Sequence, residues 1–184
     1  MNHERLFIEK DNTYKEKPSS NCGDFAYDDP VGSCITKIVH THQNFRCDKN
    51  GNATIPVQGI PSAADIVSSI RKAGYLKEFC GLETTDFKGI TISQNGTYIV
   101  NYNGASIVNL GNIDNWNKIY DKEIDIMIKD DKFSATEQED FLMTFLKDQM
   151  KIDGIEIYKK EGDVINKIEY NETTNQTTKT PCPN

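Results

Sequence analysis

Gly89-Ile-Thr-Ile-Ser-Gln-Asn-Gly-Thr-Tyr-Ile-Val-Asn-Tyr102 is the stretch on which the fold turns. Apolar residues alternate with polar ones on both sides of Gln94-Asn95-Gly96, and Asn-Gly supplies the positive φ that a tight type I′ turn needs, so the stretch predicts a β-hairpin. Toward the C-terminus, Ala105 to Leu110 and Glu123 to Lys129 read as further strands. The helix signal that follows, Ala135 to Met150, has Ser134 as N-cap and Glu137 as its capping-box partner. Glu139 and Asp140 suit its positive end, and Lys147 and Lys151 its negative end. Phe141, Leu142, Phe145, Leu146 and Met150 form an apolar stripe at helical spacing, which reads as core. Gly154 to Tyr158 and Val164 to Tyr170 complete the β-pattern.

Toward the N-terminus, Ser62 and Asp65 make a second capping box, and Ile66, Val67, Ile70 and Ala73 share one face of a helix running to about Phe79. Gly81 is placed to close that helix in the left-handed conformation. The stretch from Asn112 to Tyr120, with the only tryptophan, reads as a short helix or an ordered loop. Ile35 to His42 reads as a strand with Ile38, His40 and His42 on one side. Phe45 to Cys47 and Ala53 to Val57 read as a second hairpin, with Pro56 confining it to a sheet edge. The expectation is an α+β fold in which an antiparallel sheet of about five to seven strands packs against two or more helices, with disulfide-stapled loops. Residues 1–33 are read as an irregular polar arm with a short helix near Leu6, 34–170 as one α+β domain, and 171–184 as a Thr/Asn-rich tail pinned by Cys182.

A net charge of −7, spread rather than blocked, argues against nucleic acid, which demands a basic surface to displace counterions. With 18 lysines and 3 arginines, bidentate clamps for anions are scarce. The chain contains no membrane segment, and its charged start is no signal peptide, so any export or anchor segment is expected to be missing from this chain. Cys22, Cys34, Cys47, Cys80 and Cys182 lie mostly in turn-rich surroundings, and a thiol in a polar tail makes sense as a staple. These five are the disulfide candidates, the step from Cys22 to Cys34 suits a closed loop, and the expected compartment is extracytoplasmic. Their pairing stays open.

Chemistry is sparse. No phosphate loop, dinucleotide fingerprint, nucleophile elbow or metalloprotease motif occurs, so no catalytic residue is assigned and no enzyme is expected. No cofactor is assigned either. Two metal alternatives remain. Cys34, His40, His42 and Cys47 offer two thiolates and two imidazoles for zinc, because His-x-His on a strand puts both rings on one face. Asp48, Asn50 and Asn52 match the first ligands of a calcium loop, but Ala53 and Gly59 stand where its turn glycine and closing glutamate belong. The plainer readings are surface histidines and a turn-rich hairpin loop. Asn-x-Thr triplets at Asn52, Asn95, Asn171 and Asn175 are glycan acceptors only in a secretory setting.

Tyr120-Asp-Lys-Glu-Ile-Asp-Ile-Met-Ile-Lys-Asp-Asp-Lys-Phe133 resembles the strand-plus-acidic-turn block in the globular heads of bacterial type IV pilins and pseudopilins. The resemblance implies an exported structural or adhesive subunit, with a C-terminal loop pinned through a cysteine such as Cys182 and no catalytic residues to transfer. The expectation is therefore a non-enzymatic extracytoplasmic subunit, pilin-like, whose partners are other protein subunits or a surface ligand. The alternatives are a secreted metal- or ligand-binding module using the Cys/His cluster, and a small cytosolic enzyme or inhibitor.

Overall fold

Local signals for strand and helix are realised across most of the chain in a computed structural model, which describes residues 5–10, 13–17, 34–47, 52–104, 110 and 112–183. In chain order the strands and helices are β1 (Leu6–Lys10), β2 (Thr13–Lys17), β3 (Lys37–Thr41), β4 (Phe45–Cys47), β5 (Ala53–Pro56), α1 (Ala63–Cys80), β6 (Lys88–Ser93), β7 (Gly96–Tyr102), α2 (Ile113–Lys129), α3 (Ala135–Phe145), β8 (Ile155–Glu161), β9 (Val164–Asn171) and β10 (Gln176–Pro181). A π-helical turn, Leu146–Met150, extends α3. The architecture is α+β.

Eight strands form one sheet in the order β10-β9-β8-β7-β6-β3-β1-β2, and β4 and β5 pair separately. Every neighbouring pair is antiparallel except β3 and β6. A parallel pair needs a crossover, and α1 lies in that connection. The helix buries Ala63, Ile66, Val67, Ile70, Ala73 and Leu76 and packs on β6, β7 and α2. It approaches β6 so closely that a Cβ at Gly89 would collide with Ser69 Oγ. α3 packs on β9 and β10. Leu6, Ile8, Val100, Ile157 and Ile168 meet the helices from the sheet, and Tyr120, Phe141 and Phe145 cluster between α2 and α3. No helix among the described residues is long and apolar enough to cross a membrane.

Both capping boxes form as expected, at Ser62/Asp65 and Ser134/Glu137, and Gly81 closes α1 at φ +68°. Several expectations are corrected. Glu123 to Lys129 is not a strand but the second half of α2, in which Trp116, Tyr120 and Ile124 are buried at helical spacing. The segment that resembles the pilin block is thus helical as far as Lys129. The first 33 residues are not all irregular: β1 and β2 form a hairpin that joins the sheet, with Leu6 and Ile8 turned into the core. Nor is the tail pinned by Cys182, which is a free thiol; β10 is held by its ladder with β9. Since the sheet runs from β1 to β10, it crosses both expected boundaries, at 33 and at 170.

The turn between β6 and β7 is Gln94-Asn95, and Gly96, at φ +127°, is the first residue of the return strand. Asn95 does not take positive φ, so the turn is not the expected type I′. Of the expected strand at 105–110, residues 105–109 lie outside the described residues, and Leu110 is buried outside any strand. Cys34 pairs with Cys80, with Cα atoms 5.7 Å apart, which overturns the expected loop between Cys22 and Cys34.

Candidate metal centre

Strand alternation carries His40 and His42 to the same side of β3 and the residues that continue it. The ladder persists past the strand's end, because His42 N donates to Ile92 O at 2.8 Å. Across from them stands Asp65, third residue of α1, fixed by its own capping box. Its Oδ2 accepts from both the backbone N and the hydroxyl of Ser62, each at 2.7 Å. A device that serves the helix end therefore also aims a carboxylate at the two rings.

Three side chains converge. His40 Nε2 lies 3.1 Å from His42 Nε2, His40 Nε2 lies 3.2 Å from Asp65 Oδ1, and His42 Nε2 lies 3.2 Å from Asp65 Oδ2. Thr91 Oγ1 stands 3.4 Å from His40 Nε2. His42 Nδ1 sits 3.0 Å from the Gln58 carbonyl, which can only accept, so this nitrogen carries a proton and donates. In the neutral ring, Nε2 is then a lone pair directed at the other two groups. The side chains are 15%, 5% and 21% exposed for His40, His42 and Asp65.

Proton counting decides what the arrangement can hold. The triangle has three edges, and the two imidazoles bring at most two Nε2 protons. With both present, each N–H donates to its own Asp65 oxygen, and the two nitrogens stand 3.1 Å apart with no proton between them. A single cation satisfies all three edges at once. Bonds of 2.0–2.1 Å place ligand atoms about 3.3–3.4 Å apart on a tetrahedron and about 2.8–3.0 Å apart on an octahedron, and the 3.1 Å between the two Nε2 atoms falls between, with a different Asp65 oxygen 3.2 Å from each ring. Burial opposes ionisation of Asp65, but His40 and then His42 beside it hold its carboxyl well below the usual carboxylate range.

The supporting shell is rigid. Gln138 Oε1 accepts from Gly59 N at 2.7 Å, and the Tyr120 hydroxyl donates to Pro61 O at 2.8 Å. Burial, reinforced by the nearby Asp65 and Asp121 carboxylates, pushes the Tyr120 hydroxyl well up, so it stays a donor. The segment carrying Gln58 and leading into Ser62 is thereby held by both α2 and α3. Beside the triangle opens a cavity of about 470 Å³. Gln58, Ser68, Asn117 and Asp121 give it a polar side, and Leu6, Ile38, Phe87 and Val100 an apolar one.

Of the expected zinc ligands, His40 and His42 are brought together and Cys34 is not, because its sulfur is committed to Cys80. The side chain of Cys47 lies outside the described residues, as do Cys22, Asp48 and Asn50, whereas Asn52 is exposed just before β5. Asp65 was legible only as a capping acid. A signal for its second role exists: a His-x-His strand followed by a helix whose N3 residue is a carboxylate. Ser62 Oγ donates to Asp65 rather than to an imidazole, so it is not aligned as a nucleophile with a histidine base. Cys182 follows β10, the edge strand five places from β3, which separates that thiol from the histidines. Compared with known proteins, the chain matches no family model, no curated protein and no solved structure, so the site is read from its geometry alone.

Proposed function

We propose that the protein is an extracytoplasmic module that binds a divalent transition-metal ion, zinc first among them. The ligands are His40 Nε2, His42 Nε2 and one Asp65 oxygen, with the remaining coordination positions open to the cavity. The observation that carries the reading is the convergence of the two Nε2 atoms, 3.1 Å apart, on the Asp65 carboxylate, which His40 meets through Oδ1 and His42 through Oδ2, each at 3.2 Å, together with the proton that His42 Nδ1 gives to Gln58 O. A metal-ligating histidine characteristically donates its other ring N–H to a carbonyl or carboxylate, which fixes tautomer and ring plane. Two nitrogens and an oxygen suit zinc and its neighbours, and three protein ligands are the number found where a position is kept open. Of the two oxygens, Oδ1 is the better ligand, because Oδ2 already accepts twice from Ser62.

The disulfide is what supports the compartment. Cys34–Cys80 favours an oxidising environment, where such bonds form and persist. A surface-subunit role shares that compartment and differs in needing no metal. The test is a zinc titration of metal-stripped protein by calorimetry, repeated on the His40→Ala/His42→Ala double variant. One equivalent bound by the parent and none by the variant is expected. Failure of the parent to bind, or equal binding by both, would overturn the reading.

A further inference from the structure

Resting on the metal reading, we propose that the centre takes a ligand from solution: a small compound that is neutral in solution, with an apolar body and an oxygen-donor head that releases a proton to solvent on coordination, as a hydroxamic acid does. Phosphate and sulfate are excluded from this class. The cavity beside the three protein ligands, about 470 Å³, has the size of a small-molecule site rather than of a bridging water. Its chemistry is divided. The metal end supplies a Lewis acid to a carbonyl or hydroxamate oxygen. Apolar lining comes from Leu6, Phe87 and Val100, each almost fully buried, and from Ile38, with Leu6 the cross-strand neighbour of His40. An apolar body there gains what its methylenes lose in water.

Anion exclusion rests on the same wall. Among the described residues lining the cavity there is no lysine or arginine, and Asp121 adds a carboxylate to the lining. Phosphate sites owe their affinity to cationic forks, to lysine or to helix N-termini. Here the N-terminus of α1 is already occupied by its own acid, Asp65. A dianion would meet the metal with no second partner, at a net charge that Asp65 and Asp121 have already lowered.

The test uses the full chain loaded with cobalt(II), whose visible d–d bands report coordination directly. Acetohydroxamate, hexanohydroxamate and inorganic phosphate are titrated in turn. Hydroxamates should change the bands, with affinity rising about fourfold for each methylene that reaches the apolar wall. Phosphate at the same concentrations should leave them unchanged. In Asn117→Lys, a substitution on a partly exposed helical position of the cavity wall, phosphate should gain at least tenfold while acetohydroxamate is unaffected. In Ala64→Trp, on the exposed rim, cobalt should still bind and hexanohydroxamate should not. A flat chain-length series, or phosphate binding as well as hydroxamate in the parent, overturns the ligand class and leaves the metal reading standing. Absence of any cobalt band overturns both.

Discussion

Two polar clusters sit against the same sheet, and they are built on opposite principles. Around Glu139, almost fully buried on α3, the Tyr98 hydroxyl donates at 2.8 Å and Lys159 Nζ at 2.7 Å, while Lys179 Nζ lies 3.1 Å away. Lys159 and Lys179 also reach Glu161, each at 3.0 Å. Burial, then the Glu139 carboxylate, pushes the Tyr98 hydroxyl far up, so it remains a donor. Donors and acceptors match, and no further atom is called for. At His40, His42 and Asp65, two imidazole nitrogens 3.1 Å apart converge with a carboxylate beside a cavity. A matched cluster ties α3 to β7, β8 and β10. An unmatched one, open to solvent on one side, is where a ligand belongs.

The widest separation of the two comes from breaking the matched one. Lys159→Met leaves Glu139 buried with one cation fewer and should cost about 3 kcal/mol, near the low end for a broken buried pair because Lys179 remains. A urea midpoint shift would measure it, and zinc affinity should not change. At the open cluster the effect is conditional on the metal. Zinc at a hundred times its Kd should stabilise the parent by about 2.7 kcal/mol, and His42→Ala should abolish that increment in a thermal melt. Ser62→Ala probes the one residue that serves both helix and site. Losing the cap should cost about 1 kcal/mol, and losing the support for Asp65 should weaken zinc about tenfold.

The smallest effect is expected on the other face of the sheet, where Lys37 Nζ donates to Glu9 at 2.6 Å between β3 and β1. Hydrogen bonds from Lys37 and Tyr14 hold the Glu9 carboxyl below its usual 4.5. A depressed carboxylate contributes stability that is fully present above the unfolded value. That contribution is lost as pH falls through the lower folded one. Stability of Glu9→Gln should therefore converge on the parent's as pH falls below 4.5 and on through the depressed folded value. A constant gap down to pH 2 would remove this pair from the account.

What was legible in the sequence was local. The capping boxes at Ser62/Asp65 and Ser134/Glu137 work within four residues, and alternation reveals β6 and β7 as strands but not which face is covered, since Gly89 and Thr91 are buried while Ile90 and Ile92 are half-buried. Ile124, Ile126 and Ile128 alternate like a strand, and only their continuity with Trp116 and Tyr120 makes the helical period visible. β10 was missed because Gln176 to Thr180 carries no apolar alternation; its register is set by β9, a partner the local pattern does not reveal. The centre was half legible for the same reason. His40 and His42 announce themselves two residues apart, while Asp65 arrives through a fold that also sends Cys34 to Cys80. Pairing across 46 residues leaves no local trace.

That disulfide has a mechanical meaning. Cys34 precedes β3 and Cys80 ends α1, so strand and helix are bolted together at one end and carry the ligand triangle at the other. Fifteen residues of helix separate Asp65 from Cys80, a lever arm of about 22 Å at 1.5 Å per residue. Any rocking of α1 on the sheet pivots at the bolt and has its greatest travel at the jaw formed by His40, His42 and Asp65. An ion seated there acts as a latch, and amide exchange in α1 should slow most near Ala63 and least near Leu76 when zinc is added.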